Sequence, residues 1–147
     1  MSINFVIGPP CSGKSYFIKN TFSKDAIIID LWDYQKDLSY FNIENVTESY
    51  ELAKKDLIRS IKNNPEKQII FEHTLLKKER RKVYIDAIKD ITSEKINCYV
   101  IKPHMNRYKK NCKLRNLDYI YEKDAFNLLE IPTKEEGFDN IFIINAV

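Results

Sequence analysis

Glycine is scarce in this chain, with three residues in 147 at positions 8, 13 and 137. That scarcity excludes flexible glycine-rich linkers and predicts regular elements joined by short connections. Cysteine is scarce too: Cys11, Cys98 and Cys112 make an odd number with no C-x-x-C spacing. Such usage argues against a disulfide framework and a zinc site, and points to a reducing cytoplasm. No apolar run approaches the ~18–20 residues of a membrane span, and no charged-then-apolar leader opens the sequence. Neither sign of charge dominates: 24 Lys and Arg against 21 Asp and Glu leave +3, too little by itself to require a nucleic-acid partner. Internal repeats and low-complexity stretches are absent. The expectation is one domain over 1–147, large enough to bury about two-thirds of its unfolded surface.

Two of the glycines stand together in Gly8-Pro9-Pro10-Cys11-Ser12-Gly13-Lys14-Ser15, a complete G-x-x-x-x-G-K-S pattern. Before it, Ile3-Asn4-Phe5-Val6-Ile7 reads as a buried strand. After it, residues 16–22 carry apolar side chains at helical spacing. Strand, glycine loop and helix together convert a string match into a mechanism. Backbone N–H groups from Gly8 to Tyr16 would cradle the phosphates of a nucleotide, helped by the unpaired N–H groups of the helix start. Lys14 would reach the β- and γ-phosphates of ATP, and the Ser15 hydroxyl would ligate Mg²⁺.

The rest of the chain alternates apolar runs with helix-period segments, the pattern of a parallel sheet covered by helices on both faces. Strands are expected at 26–29, 68–72, 97–101 and 140–144. Helices are expected at 47–62, with Thr47 as N-cap and Leu52, Leu57, Ile58 and Ile61 inward, and at 77–91, with Val83, Ile85, Ile88 and Ile91 inward. A helix and turn over the basic segment and a shorter helix near 121–129 precede the last strand. The fold class is α/β, a five-stranded P-loop arrangement with a basic lid after the fourth strand. In such sheets ligands sit outside the carboxyl ends of the strands. Lys14, Asp30, Asp33, Glu72 and His73 all fall at that edge.

Phosphoryl transfer needs an in-line nucleophile, a carboxylate to take its proton, and cations on the transferring group. Asp30 and Asp33, just past the second strand, are the candidate bases; either could instead cap a helix or a turn. Glu72 stands where an acid could hold Mg²⁺, or is a strand-end surface residue. Lys102 to Leu117 holds six cations and no acid, and reads either as a lid closing over the triphosphate or as a solvated face. Five cations in Lys77–Lys82 oppose the dipole of the helix they open, which suits a polyanionic partner or a lysine-rich surface.

These residues resemble the 5′-hydroxyl polynucleotide kinases of phage, bacterial and animal repair enzymes over nearly the whole chain. Ile28-Ile29-Asp30-Leu31-Trp32-Asp33-Tyr34 is similar to the family element whose Asp is the general base. The resemblance favours Asp33, with Asp30 matching members that have a shorter helix. Lys36 stands where some members carry an Arg for the acceptor phosphate. Glu72-His73-Thr74 and Glu79-Arg80-Arg81 look like the family's acid-x-Thr element and Arg-rich helix start, implying acceptor binding by His73, Thr74, Arg80 and Arg81; His73 and the Glu are departures. Asn111-Cys112-Lys113-Leu114-Arg115 resembles the lid and puts Lys113 and Arg115 in its catalytic roles. Glu130-Ile131-Pro132-Thr133-Lys134-Glu135-Glu136-Gly137-Phe138 is similar to a signature near the end of the animal-type kinase domain. The resemblance implies a stand-alone kinase using ATP and Mg²⁺ on a DNA or RNA 5′-OH end, whose terminal base would stack on Trp32, Tyr34 or Tyr40. A small-molecule kinase of the same fold, or a nucleotide binder without transfer, remains the alternative.

Overall fold

The computed structural model describes residues 2–9, 12–34, 43–75, 77–102 and 129–145, the side chains of 43–46 excepted. Five strands, β1 (Ser2–Ile7), β2 (Ile27–Asp30), β3 (Gln68–His73), β4 (Ile96–Lys102) and β5 (Asn140–Asn145), form one sheet in the order β2-β3-β1-β4-β5. Every neighbouring pair is parallel. Helix α1 (Lys14–Thr21) packs on one face through Ile18, against Val6, Ile70 and Ile101. Helices α2 (Ile43–Asn63) and α3 (Lys78–Lys89) cover the other face, over Ile3, Phe5, Ile7, Ile69 and Phe71. The near-continuous apolar reading of β1 and β3 follows from this, since strands covered on both faces need both side-chain sets apolar.

The register is held by polar as well as apolar contacts. Asn4, Asn97 and Asn140 stand side by side on β1, β4 and β5, and their amides form a ladder: Asn97 Nδ2 donates to Asn4 Oδ1 (3.2 Å) and Asn140 Nδ2 to Asn97 Oδ1 (2.9 Å). Phe5 packs on Phe71 across β1 and β3, at 5.4 Å between ring centres.

Helix α2 begins before Thr47, which is an exposed interior residue and not the expected cap. Its buried stripe is Ser49, Ala53, Leu57 and Ile61, a strict i, i+4 row, while Leu52 is half exposed. Small Ser and Ala side chains let the helix approach the sheet, and that preference outweighs the larger hydrophobe one position away. In α3 the buried row is Arg81, Tyr84, Ile85 and Ile88, and Val83 is 48% exposed, contrary to expectation.

The buried cation in that row organises the C-terminal segment. Arg81 is fully buried and pairs with Glu136 through Nε (2.7 Å) and Nη2 (3.2 Å). Glu136 lies on the short 3₁₀ turn Lys134–Glu136, where its carboxylate also accepts from the Thr133 N–H (2.7 Å) in a reciprocal cap. Gly137 follows at φ +125°, and a Cβ there would fall 2.5 Å from Ile85 Cγ2. Phe138 then sets its ring edge on Phe5 at 5.3 Å. Asp139 closes the segment by accepting from the Ile96 N–H at 2.8 Å. The residues of the C-terminal signature are therefore a brace that locks the start of β5 to α3 and β4.

Removing one partner of a buried, hydrogen-bonded ion pair strands the other charge, which costs about 3–5 kcal/mol, whereas an exposed pair is worth under ~1 kcal/mol. Glu136→Ala is therefore expected to lose most of that amount in urea unfolding, and Asp86→Ala, which breaks the exposed Lys82–Asp86 pair, to change stability little.

Candidate active site

The carboxyl edge of β1, β2 and β3 gathers the polar groups. Asp30 pairs with Glu72 in the β2–β3 register, and Val6, the residue two before the glycine loop, pairs with Glu72 on the other side. Strand alternation sends Glu72 to the α1 face, where the Ser15 hydroxyl donates to its Oε1 at 2.9 Å. Glu72 is buried, and its pKa is raised, first by desolvation and second by Asp30; Ser15 and Lys14 act the other way. A buried carboxylate beside a second carboxylate is short of positive charge, a condition a divalent cation would relieve.

The loop itself is built for close approach. Gly8 lies at φ +156°, and a Cβ there would meet Ile101 O at 2.8 Å and Ser12 Oγ at 2.9 Å. Ser12 Oγ is buried and has no hydrogen-bond partner among the described residues. Gly13, left-handed at φ 102°, starts α1, and no described side chain caps the helix N-terminus or places an acid in its first turn. Lys14 Nζ folds back over the loop, donating to the carbonyls of Gly8 (3.0 Å) and Pro9 (2.9 Å). An orphaned hydroxyl, uncapped helical N–H groups and a mobile-chained ammonium form a cradle that fits a polyphosphate. Ser15 and Glu72 offer hard oxygen donors of the kind Mg²⁺ takes when phosphate and water supply the rest. Among the described residues no group of three or more His, Cys, Asp and Glu forms a metal cage. Pro10 and Cys11 of the loop lie outside the described residues, as do Lys36, Tyr40, Lys113, Arg115 and all but Lys102 of the basic cations assigned to the lid.

Asp30 ends β2, and Asp33 lies on the 3₁₀ turn Leu31–Tyr34 that follows it. The Asp30 carboxylate accepts from the Trp32 N–H at 3.0 Å, so it shapes the turn. Asp33 stands exposed on that turn beside half-exposed Trp32. The turn is pinned at both ends, by buried Leu31 and by Tyr34, whose hydroxyl donates to Asp56 of α2 (2.5 Å). Tyr34 thus packs and braces, and of the candidate stacking residues that are described Trp32 alone is largely open. The β2 edge is one strand removed from the loop, because β3 lies between β2 and β1.

On the α2–α3 side, His73 is half-buried, its ring edge-on to Tyr50, and its pKa is pulled down to about 3 by burial, with Lys14 and Arg80 adding to the effect. It is neutral at physiological pH. Arg80 lies over the Tyr50 ring at 4.4 Å on the exposed start of α3. Arg81 is the correction here: an acceptor-binding role was expected, but its guanidinium is spent wholly inside the protein on Glu136 and the Leu75 carbonyl. Adjacent helical positions point about 100° apart, so Arg81 is buried while Arg80 faces solvent. Tyr50 and Leu75 carried no sequence signal. Leu75 has φ 42°, a left-handed backbone that costs a non-glycine residue about 1–2 kcal/mol.

No protein-family model matches the chain, and no curated protein matches it. Solved structures do. A protein of Chloroflexus aurantiacus provisionally described as a kinase superposes with a TM-score of 0.70 at 8% identity, over 98% of this chain and 84% of that one. This chain has an α/β P-loop fold like that protein's. A gluconokinase of Sinorhizobium meliloti gives 0.62 at 12% identity, over 99% of this chain and 83% of that one. A chain of the Pnkp1/Rnl/Hen1 RNA repair complex gives 0.66 at 18% identity; the match covers 94% of this chain but 46% of that one, under half its length. At such identities the likeness is one of fold alone.

If Ser15 and Glu72 hold the cation, Glu72→Gln should raise the Mg²⁺ concentration needed for ATP binding by about tenfold or more, as for loss of a charge-assisted ligand. Calorimetric titration of ATP at graded Mg²⁺ checks this. Binding of ATP without Mg²⁺ is expected to change little.

Proposed function

We propose that the protein is a polynucleotide 5′-hydroxyl kinase, moving the γ-phosphoryl group of ATP to the 5′-OH of a DNA or RNA end. The observation that carries the reading is the turn Leu31–Tyr34, which presents an exposed carboxylate, Asp33, next to a half-exposed indole, Trp32. A base and a stacking platform side by side suit a terminal nucleotide, since every base offers a π-face to an aromatic ring. Arg80, exposed at the start of α3, adds a cation for the acceptor's phosphates.

In this reading Asp33 takes the proton of the 5′-hydroxyl as its oxygen forms a bond to the γ-phosphorus. The bond from that phosphorus to the β–γ bridging oxygen breaks, and ADP leaves with the electron pair. Lys14 and the loop N–H groups hold charge on the transferring group. Mg²⁺, bound by Ser15 and Glu72, would supply further neutralisation of the phosphates. Lys113 and Arg115 are assigned to the same charge from the lid segment, and Lys36 to the acceptor phosphate, on the resemblance alone.

The experiment is to incubate the protein with γ-labelled ATP and a 5′-OH oligonucleotide and to locate the label. Label at the oligonucleotide 5′ end supports the reading; label that moves to a small hydroxyl compound or only to inorganic phosphate overturns it. Lys14→Ala should cost at least ~10²-fold in transfer with an unchanged circular dichroism spectrum. Asp33→Asn should cost ~10²–10⁴-fold while ATP affinity stays within a few-fold, the pattern of general-base removal. Should Asp30→Asn show that pattern and Asp33→Asn not, Asp30 is the base.

A polynucleotide acceptor also displaces counterions, with a slope of about 0.7 per neutralised phosphate on a single strand. The acceptor KM at saturating ATP should rise steeply with salt, and Arg80→Ala should flatten the slope. A salt-insensitive KM assigns the acceptor to small neutral molecules.

A further inference from the structure

The strained turn after β3 links the C-terminal brace to the acceptor side of the site. Leu75, left-handed at φ 42° and 2% exposed, is held through both of its backbone polar groups. Its carbonyl accepts from Arg81 Nη1 at 2.8 Å, and Arg81 is itself fixed by both oxygens of Glu136. Its N–H donates to His73 Nδ1 at 3.2 Å, and the Thr74 hydroxyl lies 3.2 Å from the same nitrogen. A backbone N–H can only donate, so Nδ1 must present its lone pair, and the proton of the neutral ring sits on Nε2. Among the described residues nothing accepts from that Nε2–H. The ring lies one residue beyond Glu72, edge-on to the Tyr50 ring that Arg80 covers.

We propose that Glu136 and Arg81 are positioning residues that hold the His73 ring as an Nε2–H donor, and that this donor binds a phosphate or sugar oxygen of the acceptor beside Arg80. The acceptor half rests on the kinase reading above; the positioning half concerns the free protein. The arrangement gives the buried pair a task beyond stability. A left-handed Leu is kept only where its surroundings over-determine it, and such strain gathers where a side chain must be aimed. A neutral donor beside a cation also contacts an anionic oxygen without adding a second buried charge.

Two measurements test it. The chain holds two histidines, so long-range ¹H–¹⁵N correlation of the labelled protein at pH 7.5, with a His73 variant for assignment, reads the tautomer directly. Nε2–H is expected; Nδ1–H overturns the positioning half. In the transfer assay, His73→Met should raise the acceptor KM by about three- to tenfold, the scale of one lost hydrogen bond, with the KM for ATP unchanged. His73→Gln, whose amide can donate from nearly the same place, should recover most of the loss. Glu136→Gln, which keeps the shape and spares the fold more than truncation, should raise the acceptor KM similarly. Combined with His73→Met it should add nothing, because it acts through that ring. Additive effects, or Gln and Met behaving alike at position 73, overturn the proposal. A wild-type protein that binds ATP but labels no oligonucleotide overturns the polynucleotide reading and the acceptor half with it, while the tautomer still decides the positioning half.

Discussion

The parallel register of β1 on β3 is the constraint on which the site depends. Val6 stands opposite Glu72 and Ile7 opposite His73, so two consecutive residues of one strand serve opposite faces of the sheet. Glu72 turns toward α1 and meets Ser15; His73 turns toward α2 and α3 and meets Tyr50. A slip of one residue would exchange them, putting an imidazole under the glycine loop and a carboxylate into the apolar layer. The slip is opposed by the Phe5–Phe71 contact and by Asn4, whose amide donates to Ile69 O and accepts from Asn97. Core packing and the placement of the reactive groups are thus one problem.

Charge at this edge is distributed to leave something wanting. Glu72 sits buried with Asp30 in register and Asp33 a turn away, and Lys14 and the Ser15 hydroxyl are the groups that ease it. Nearby, among the described residues, Ser12 Oγ is buried without a partner and the helix N-terminus has no side-chain cap. A carboxylate short of cation and a loop short of acceptor face each other across a few residues. In the proposed reading, a nucleotide with its divalent ion would supply both deficits at once.

The cations divide in a way that their adjacency hides. Arg80 and Arg81 are neighbours in sequence, yet one is exposed over the half-buried Tyr50 ring and the other is sealed in the core with Glu136. Burying an arginine requires a planar, bidentate partner and further acceptors, and Glu136 with the Leu75 carbonyl provides them. That requirement explains the spacing from Thr133 to Asp139: a cap, a carboxylate, a glycine against Ile85, an aromatic on Phe5 and a carboxylate for the Ile96 N–H.

Sequence alone determined the class of fold and the glycine loop. Apolar runs long enough for buried strands, helix-period segments between them, and two glycines at loop spacing are local signals that depend on backbone sterics and side-chain burial. The strand-end carboxylates Asp30, Asp33 and Glu72 were legible for the same reason. Only the tertiary structure decided the face each residue takes. Thr47 had the chemistry of a cap, but α2 begins earlier; Val83 had the hydrophobicity of a core residue, but Arg81 and Tyr84 fill that row. Arg81 reads in sequence as one more surface cation, because nothing within several residues of it predicts a carboxylate arriving from 55 positions away. The left-handed turn at Leu75 is equally silent, being imposed by that pair and by His73 against the residue's own preference. Local propensity specifies elements, whereas the burial of a charge is settled by whichever distant group can satisfy it, and that group is known only once the chain has folded.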